Sequence, residues 1–203
     1  MPSIYDLKPR FQALLRPLMR ALARLGVTQN GLSMAAVLLS LAVGSLMAWR
    51  AEQRWSLLLL PATLFVRMAL NALDGMMARE TNQTTNLGAV LNELGDVVSD
   101  AALYLPLALV PGFHPLLVSS VVVLSIVSEM TGVVAAQIGA SRRYDGPMGK
   151  SDRAFVFGAL GLAIGLGLHP GRWLDWLLGA VLVLLVLTIW NRARRALAEA
   201  GSL

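Results

Sequence analysis

The sequence predicts an all-α integral membrane protein with six transmembrane helices, preceded by an amphipathic helix on the membrane surface. Of its 203 residues, 56% are hydrophobic and 14% are charged, which is more apolar than ordinary soluble domains. The apolar residues form long runs. Residues 31–49, for example, contain no charge and are long enough to cross about 30 Å of hydrocarbon as a helix. The chain is short for several domains, so residues 1–203 are expected to form one membrane domain.

Six segments are predicted to cross the membrane. Each is mostly apolar and is separated from the next by a short stretch that is polar or contains glycine or proline. The fifth and sixth are short and could instead be tilted or broken. Within a bundle over residues 31–193, the predicted spans are 31–49, 55–79, 86–110, 115–139, 154–169 and 173–191.

The segment before the first span, residues 1–28, has a different pattern. Its leucines recur at helical spacing, while Arg16, Arg20 and Arg24 form a second stripe. Because the arginines interrupt the apolar residues, the segment does not resemble a cleavable signal peptide and is predicted to lie along the membrane surface. A solvated helix, or one packed on the rest of the protein, would show the same pattern.

The basic residues indicate a partner and an orientation. The net charge of +5 comes from clusters between the apolar runs, where anionic lipid and not nucleic acid is the expected partner. Most clusters precede the first span or follow the second, fourth and sixth, so they share one side of the membrane. Basic loops tend to stay in the cytoplasm, which predicts a cell (inner) membrane protein with both termini inside. The absence of cysteine excludes disulfides and cysteine nucleophiles.

Two predicted spans carry polar residues on one face. An ionisable group in hydrocarbon costs about 3 kcal/mol or more unless it is paired, hydrated or bound to metal. One explanation is a structural zipper in which Arg67 pairs with Asp74 and the asparagines form hydrogen bonds between the helices. Carboxylates and amides outnumber the cations here, however, and such oxygen ligands suit Mg²⁺ or Mn²⁺ bridging to a pyrophosphate, which favours a phosphate-transfer site. The residues are Arg67, Asn71, Asp74 and Ala78 in the second span, and Gly88, Asn92, Asp96 and Asp100 in the third, with Glu93 beside them.

Residues 74–96 read DGMMARETNQTTNLGAVLNELGD. This stretch resembles the signature of the CDP-alcohol phosphotransferase family, which is D-x-x-D-G-x-x-A-R, eight residues, and then G-x-x-x-D-x-x-x-D. The eight-residue interval is kept at 80–87, and Asn71 and Asn92 stand where the family has aspartates. The six-span layout with a leading surface helix is similar to the family's as well. The matching residues are Asp74, Gly75, Ala78, Arg79, Gly88 and Asp96.

The resemblance implies a homodimeric enzyme of phospholipid biosynthesis that transfers a phosphatidyl group from CDP-diacylglycerol to an alcohol and releases CMP. It implies that Asp96 is the general base and that the site binds Mg²⁺ or Mn²⁺. The two asparagines remove charge and leave open whether one metal ion or two is bound, with Asp100 or Glu93 as a further source of charge. The implied metal ligands are Asp74, Asp96, Asn71, Asn92 and Asp100, and the implied nucleotide contacts are Gly75, Ala78, Arg79, Asn30 and Gly88.

Several of these residues have structural alternatives. Arg79 could be a cytoplasmic anchor, and Asn30 could be a helix cap. A basic loop after the fourth span is the candidate acceptor site, because relatives that use a phosphorylated acceptor hold its phosphate with basic residues in this region. Its four cations suit a phosphorylated alcohol or a lipid head group. A loop that only sets orientation would look the same. The candidate acceptor-binding residues are Arg142, Arg143, Lys150 and Arg153.

Glu129, in the fourth span, is a further intramembrane charge that could pair with Arg67 or lie near the acceptor. Two other function classes compete with the transferase. A CDP-lipid-binding relative could have lost catalysis through the two asparagines. A small transporter would also carry intramembrane charges, but the sequence has no internal repeat that would support one.

Overall fold

A computed structural model describes residues 4–80 and 85–201, which are helical almost throughout. Within these residues there are seven α-helices and no strand, which confirms the predicted all-α class. Short 3-10 helices at Arg54–Leu58 and Leu105–Leu109 precede the third α-helix and follow the fourth. The α-helices are α1 (Ile4–Arg24), α2 (Gln29–Trp49), α3 (Leu59–Glu80), α4 (Asn86–Tyr104), α5 (Pro115–Gln137), α6 (Lys150–Gly165) and α7 (Arg172–Ala200).

Local sequence signals explain where the helices begin. The hydroxyl of Thr28 accepts a hydrogen bond from the Gly31 amide at the start of α2, and Thr85 does the same for the Gly88 amide at the start of α4. Each threonine thus satisfies an amide that has no partner within its helix. Thr28 is therefore the cap of α2, and the alternative role of Asn30 as that cap is wrong.

The helices pack in a connected order. α2 lies against both α3 and α4, α3 contacts α1 and α6, and α5 contacts α4 and α7. The main apolar core contains side chains from every helix from α2 through α7. Within it, the rings of Tyr104 and Phe157 stack with centroids 4.4 Å apart. Burial of such side chains, at about 25 cal/mol per Å² of apolar area, holds the helices in this arrangement.

Four of the predicted spans are long and apolar enough to cross a membrane. They are α2, the segment Arg54–Glu80, α5 and α7. The helices at the other two predicted spans resemble transmembrane helices less closely. Helix α6 is short, with 16 residues, and α4 carries the charged residues Glu93, Asp96 and Asp100.

Helix α1 packs on the bundle with one face and leaves another exposed. Met19 is buried among side chains of α2 and α3, and the Arg16 guanidinium lies 3.6 Å from the carboxylate of Glu80. Leu14 of α1 is 75% exposed, and Leu25, which directly follows the helix, is 79% exposed. One face thus matches the alternative in which the helix packs on the rest of the protein. The exposed leucines are compatible with the predicted location on the membrane surface.

Candidate functional site

The polar faces of α3 and α4 meet, as their spacing predicts. The side-chain amide of Asn71 on α3 donates a hydrogen bond to Oδ1 of Asp96 on α4 over 3.2 Å. Asn71 and Asp96 line one cavity together with Asn92 of α4 and Ser33 of α2. Three of the predicted metal ligands, Asn71, Asn92 and Asp96, therefore line a common cavity.

Asp74 is held at this site by Ser33, which was not among the predicted site residues. The hydroxyl of Ser33 donates to Oδ2 of Asp74 over 3.0 Å, and Asp74 is only 6% exposed. Ser33 lies one turn into a long apolar helix, where a lone serine gives little signal. Only the contact between α2 and α3 identifies it as a partner of Asp74.

The candidate nucleotide residues fall in two groups. A Cβ atom added at Gly88 would lie 2.9 Å from the side-chain oxygen of Asn30 and 3.1 Å from Nε2 of Gln29, so the starts of α2 and α4 meet there. Gly75 and Ala78 lie with Arg79 in the last turns of α3, and a Cβ at Gly75 would meet only the Arg79 guanidinium, at 3.9 Å. Glycine at position 88 allows the close approach, since any larger residue would displace the Asn30 side chain.

Asp96 contacts two cations from different helices. The Lys150 ammonium at the start of α6 forms an ion pair with Oδ1 of Asp96, and Arg67 Nη2 lies 3.7 Å from the same oxygen. Lys150, predicted to bind the acceptor, is thus adjacent to the predicted general base. The carboxylate of Asp96 keeps 24% of its side-chain surface exposed, so it remains accessible from the cavity.

Asp100, one turn further along α4, is engaged in buried ion pairs. Its Oδ1 accepts from Arg67 over 2.9 Å and its Oδ2 accepts from Arg153 over 3.1 Å. In the zipper alternative, the pair of Arg67 with Asp74 is wrong, since Arg67 bonds to Asp100 instead. The interhelical bond of an asparagine, which that alternative also predicted, is present between Asn71 and Asp96. Both oxygens of Asp100 have guanidinium partners, which separates it from the less constrained Asp96.

Glu129 on α5 lies among three arginines. Its carboxylate is 3.0 Å from Arg142, 3.1 Å from Arg153 and 3.4 Å from Arg192. The possible pair with Arg67 is not among its contacts in the part of the chain that the structure describes. Arg192 follows the last apolar run, and the sequence analysis used it only to predict the orientation of the chain in the membrane.

Cations are more numerous around the site than the sequence analysis expected. The arginines and the lysine come from the loop before α6 and from α3, α6 and α7, so counting charges along α3 and α4 alone misses them. The excess of carboxylates over cations predicted for the two faces is wrong for the assembled site. The cations are Arg67, Arg142, Lys150, Arg153 and Arg192.

The loop between α5 and α6, residues 138–149, is tied to its surroundings by charge. Arg142 donates two hydrogen bonds to the Glu93 carboxylate, over 2.9 and 2.8 Å. Its guanidinium also stacks on the ring of Tyr144, with Cζ 4.6 Å from the ring centroid. Burial lowers the pKa of Arg142, but bonds to Glu93 and Glu129 outweigh it and raise the pKa above its ordinary value. Arg143 instead pairs with Asp145 and Glu199, on the side of α7.

Comparison with known proteins identifies the family. A model of the CDP-alcohol phosphatidyltransferase family matches residues 27–190. The chain is also 48% identical over 198 residues to the inner membrane protein YnbA of Escherichia coli, and the match covers 96% of each chain. The chain belongs to the CDP-alcohol phosphatidyltransferase family. Membership was predicted from residues 74–96, and the family model extends it over all helices from α2 to α7.

The fold is shared with an enzyme of known structure. The phosphatidylinositol phosphate synthase of Mycobacterium tuberculosis with CDP-DAG bound superposes with a TM-score of 0.76 at 23% identity, covering 92% of this chain and 95% of that one. The same enzyme in complex with manganese and citrate gives a TM-score of 0.75 at 24% identity, covering 92% and 90%. Identity at this level shows a common helical fold.

The side chains at this cavity, together with the neighbouring Asp74, are chemically suited to a divalent cation. Asp74 and Asp96 supply carboxylates, and Asn71 and Asn92 supply amide oxygens, all hard ligands. Among the described residues, no three acidic or histidine side chains are arranged around a single metal position. A cation here would therefore rely on amides and substrate phosphates as well, which Mg²⁺ commonly does.

Proposed function

We propose that this member of the family is an active phosphatidyltransferase that moves a phosphatidyl group from CDP-diacylglycerol to an alcohol and releases CMP. The observation that carries the proposal is that Asn71, Asn92 and Asp96 line one cavity with Ser33. Ser33 holds the neighbouring Asp74 carboxylate, and Asn71 holds that of Asp96. Binding of CDP-DAG by the M. tuberculosis relative supports the choice of donor.

The reaction requires one proton transfer and one exchange of bonds at phosphorus. The alcohol oxygen attacks the phosphatidyl phosphorus, the bond from that phosphorus to the bridging oxygen breaks, and CMP leaves with that oxygen. We assign removal of the hydroxyl proton to Asp96, which is accessible from the cavity. Arg79 and the residues around Gly75 and Gly88 are proposed to contact the nucleotide and its phosphates.

The proposed metal ligands are Asp74 and Asp96 with the amides of Asn71 and Asn92, and Asp100 is left to its ion pairs. A divalent cation bound there would neutralise charge that develops on the departing phosphate. Manganese in the structure of the relative is consistent with this choice, and the reduced charge of the site favours one ion over two.

The proposal includes a location and an assembly. All six helices from α2 to α7 cross the inner membrane, with both termini in the cytoplasm, because basic residues gather at that end of the bundle. The location in the inner membrane agrees with the name of the E. coli relative. Homodimerisation follows from the family resemblance.

A second candidate is a protein that binds CDP-diacylglycerol without turnover. The observation in its favour is that Asn71 and Asn92 replace signature aspartates, while the Lys150 ammonium lies against Asp96. Fewer carboxylates weaken metal binding, and a weakly bound metal slows chemistry without preventing donor binding.

Release of CMP separates these candidates. Purified protein in detergent is given CDP-diacylglycerol, Mg²⁺ or Mn²⁺, and in turn glycerol phosphate, inositol phosphate, serine, glycerol or phosphatidylglycerol. Release that needs one acceptor and disappears in Asp96→Asn supports the transferase. Binding of CDP-diacylglycerol without CMP release from any acceptor would support the binding protein.

A further inference from the structure

We propose that the acceptor alcohol carries no phosphomonoester, and that Glu129 sets this preference by neutralising the arginines that would otherwise bind one. The inference rests on the proposed function and specifies the substrate class of that site. It also revises the prediction that the basic residues around α6 hold a phosphorylated acceptor.

Glu129 uses both of its oxygens on arginines. Oε1 accepts from Arg153 over 3.1 Å, while Oε2 accepts from Arg142 over 3.0 Å and lies 3.4 Å from Arg192. The three arginines come from α6, from the loop before it and from α7, and Glu129 is 8% exposed on α5. A single buried carboxylate is therefore the common partner of the basic residues nearest the proposed acceptor region.

The same arginines have further carboxylate partners. Arg142 makes a two-bond pair with Glu93, and Arg153 bonds to Asp100. Asp100 also pairs with Arg67. Across the site, five carboxylates (Asp74, Glu93, Asp96, Asp100 and Glu129) balance five cations (Arg67, Arg142, Lys150, Arg153 and Arg192). The fourth basic residue of the region, Lys150, is paired with Asp96.

A neutral cluster of this kind is poorly suited to a phosphomonoester. A phosphate dianion binds where guanidinium groups provide surplus positive charge and free donors. Here the phosphate would have to displace carboxylates from their arginines and then remain beside them, in surroundings that screen repulsion weakly. An uncharged hydroxyl group, in contrast, can bond to these carboxylates and arginines without upsetting the balance.

Arg142 and Arg153 are then positioning residues for Glu129 and Asp100. Arg153 is 1% exposed, so its side chain reaches the acceptor only through its partners. Among acceptors, the expected class is a polyol or another alcohol without a terminal phosphate, whether free or carried on a lipid.

Matched acceptor pairs test the inference. CMP release is measured with glycerol against glycerol phosphate, and with inositol against inositol phosphate, for the unmodified protein and for Glu129→Gln. The glutamine has the same shape but leaves the arginines with surplus charge. We expect the unmodified protein to prefer the phosphate-free member of a pair by about tenfold or more in kcat/KM, and Glu129→Gln to shift the ratio toward the phosphorylated member. Glu93→Gln, which removes a carboxylate from Arg142 alone, should shift it less.

A binding measurement keeps the inference testable when no acceptor is turned over. Glycerol phosphate is titrated into each protein in detergent and followed by calorimetry. Binding that appears only in Glu129→Gln supports the inference even when CMP release fails and the proposed function with it. Equal binding to both proteins, or turnover by the unmodified protein that favours a phosphorylated acceptor, would overturn it. Thermal unfolding of both variants establishes that they are folded.

Discussion

The guanidinium of Arg67 donates to Oδ1 of Asp100 over 2.9 Å, joining α3 to α4 between two side chains that are each less than 10% exposed. The other end of the same guanidinium lies 3.7 Å from Asp96. Arg67 therefore connects a buried structural pair to the proposed general base. Mutations of the pair should affect stability first and activity through the position of Asp96.

Replacement of Asp100 by Ala is expected to lower the free energy of unfolding by about 3–5 kcal/mol, since it leaves Arg67 and Arg153 buried without this partner. Unfolding in mixed micelles, followed by circular dichroism, measures the loss. The exposed pair of Arg16 and Glu80 serves as control, because its removal by Glu80→Gln should cost less than about 1 kcal/mol. Similar losses in the two variants would contradict the structural role of Asp100.

Ser33→Ala is expected to weaken metal-dependent activity, because it removes the hydrogen bond that orients the Asp74 carboxylate. Loss of a partner to a metal ligand typically costs 10- to 100-fold in metal affinity or activity, so the Mn²⁺ concentration for half-maximal CMP release should rise by about that factor. Ser40→Ala is the matched control on α2, since within residues 4–80 and 85–201 the Ser40 hydroxyl bonds only to the Ala36 carbonyl of its own helix. An unchanged metal dependence in Ser33→Ala would remove Ser33 from the proposed site.

The fold was largely predictable because local sequence patterns indicate the helices. Hydropathy predicted a span over 31–49, where α2 is observed at Gln29–Trp49, and a span over 115–139, where α5 is observed at Pro115–Gln137. The third predicted span ends in a 3-10 helix because Pro106 lacks the amide that would continue α4. Helix length alone could not decide whether α4 and α6 cross the membrane. Both helices carry charged residues that lie at the candidate site, such as Asp96 on α4 and Lys150 on α6.

The partners within the site were less predictable. Spacing by three and four places Arg67, Asn71 and Asp74 on one face, but it does not show how far α3 and α4 are shifted relative to each other along their axes. This shift determines that Arg67 bonds to Asp100. Glu129 and its arginines lie on elements far apart in sequence, so only the assembled bundle shows that their charges balance.

Gly132→Ala is expected to destabilise the protein by about 1–3 kcal/mol, because the loop before α6 lies directly on α5 at this glycine. An added Cβ would overlap the Arg142 guanidinium and lie 2.5 Å from the Arg143 carbonyl oxygen. Gly179→Ala on α7 is the matched control, since its Cβ would meet nothing within 4 Å and helix propensity favours alanine. Thermal unfolding compares the two, and equal midpoints would contradict the close approach.

Acid should weaken the attachment of the loop to α7 through Asp145. Burial raises the pKa of this carboxyl, but hydrogen bonds from Arg143 and Arg195 outweigh it and lower the pKa below its ordinary value. The group therefore stabilises the folded state above about pH 4, and the stabilisation is lost as pH falls through the lowered pKa. The unfolding midpoint of Asp145→Asn should accordingly depend less on pH in this range than that of the unmodified protein. Parallel pH profiles would count against the pairing.

Tyr104→Phe is expected to leave stability unchanged or to raise it by about 1 kcal/mol. The Tyr104 hydroxyl is buried without a hydrogen-bond partner among the described residues, so its removal relieves a desolvated polar group. The stacking on Phe157 is kept, because the ring remains in place. Phe157→Ala removes the stacked ring instead and should cost about 3–5 kcal/mol, which shows that the assay detects damage to this core. Tyr104 lines a cavity with Glu129 and Arg153. A loss of 1 kcal/mol or more in Tyr104→Phe, in unfolding measurements on purified protein, would therefore mean that a water or a ligand in this cavity bonds to the hydroxyl.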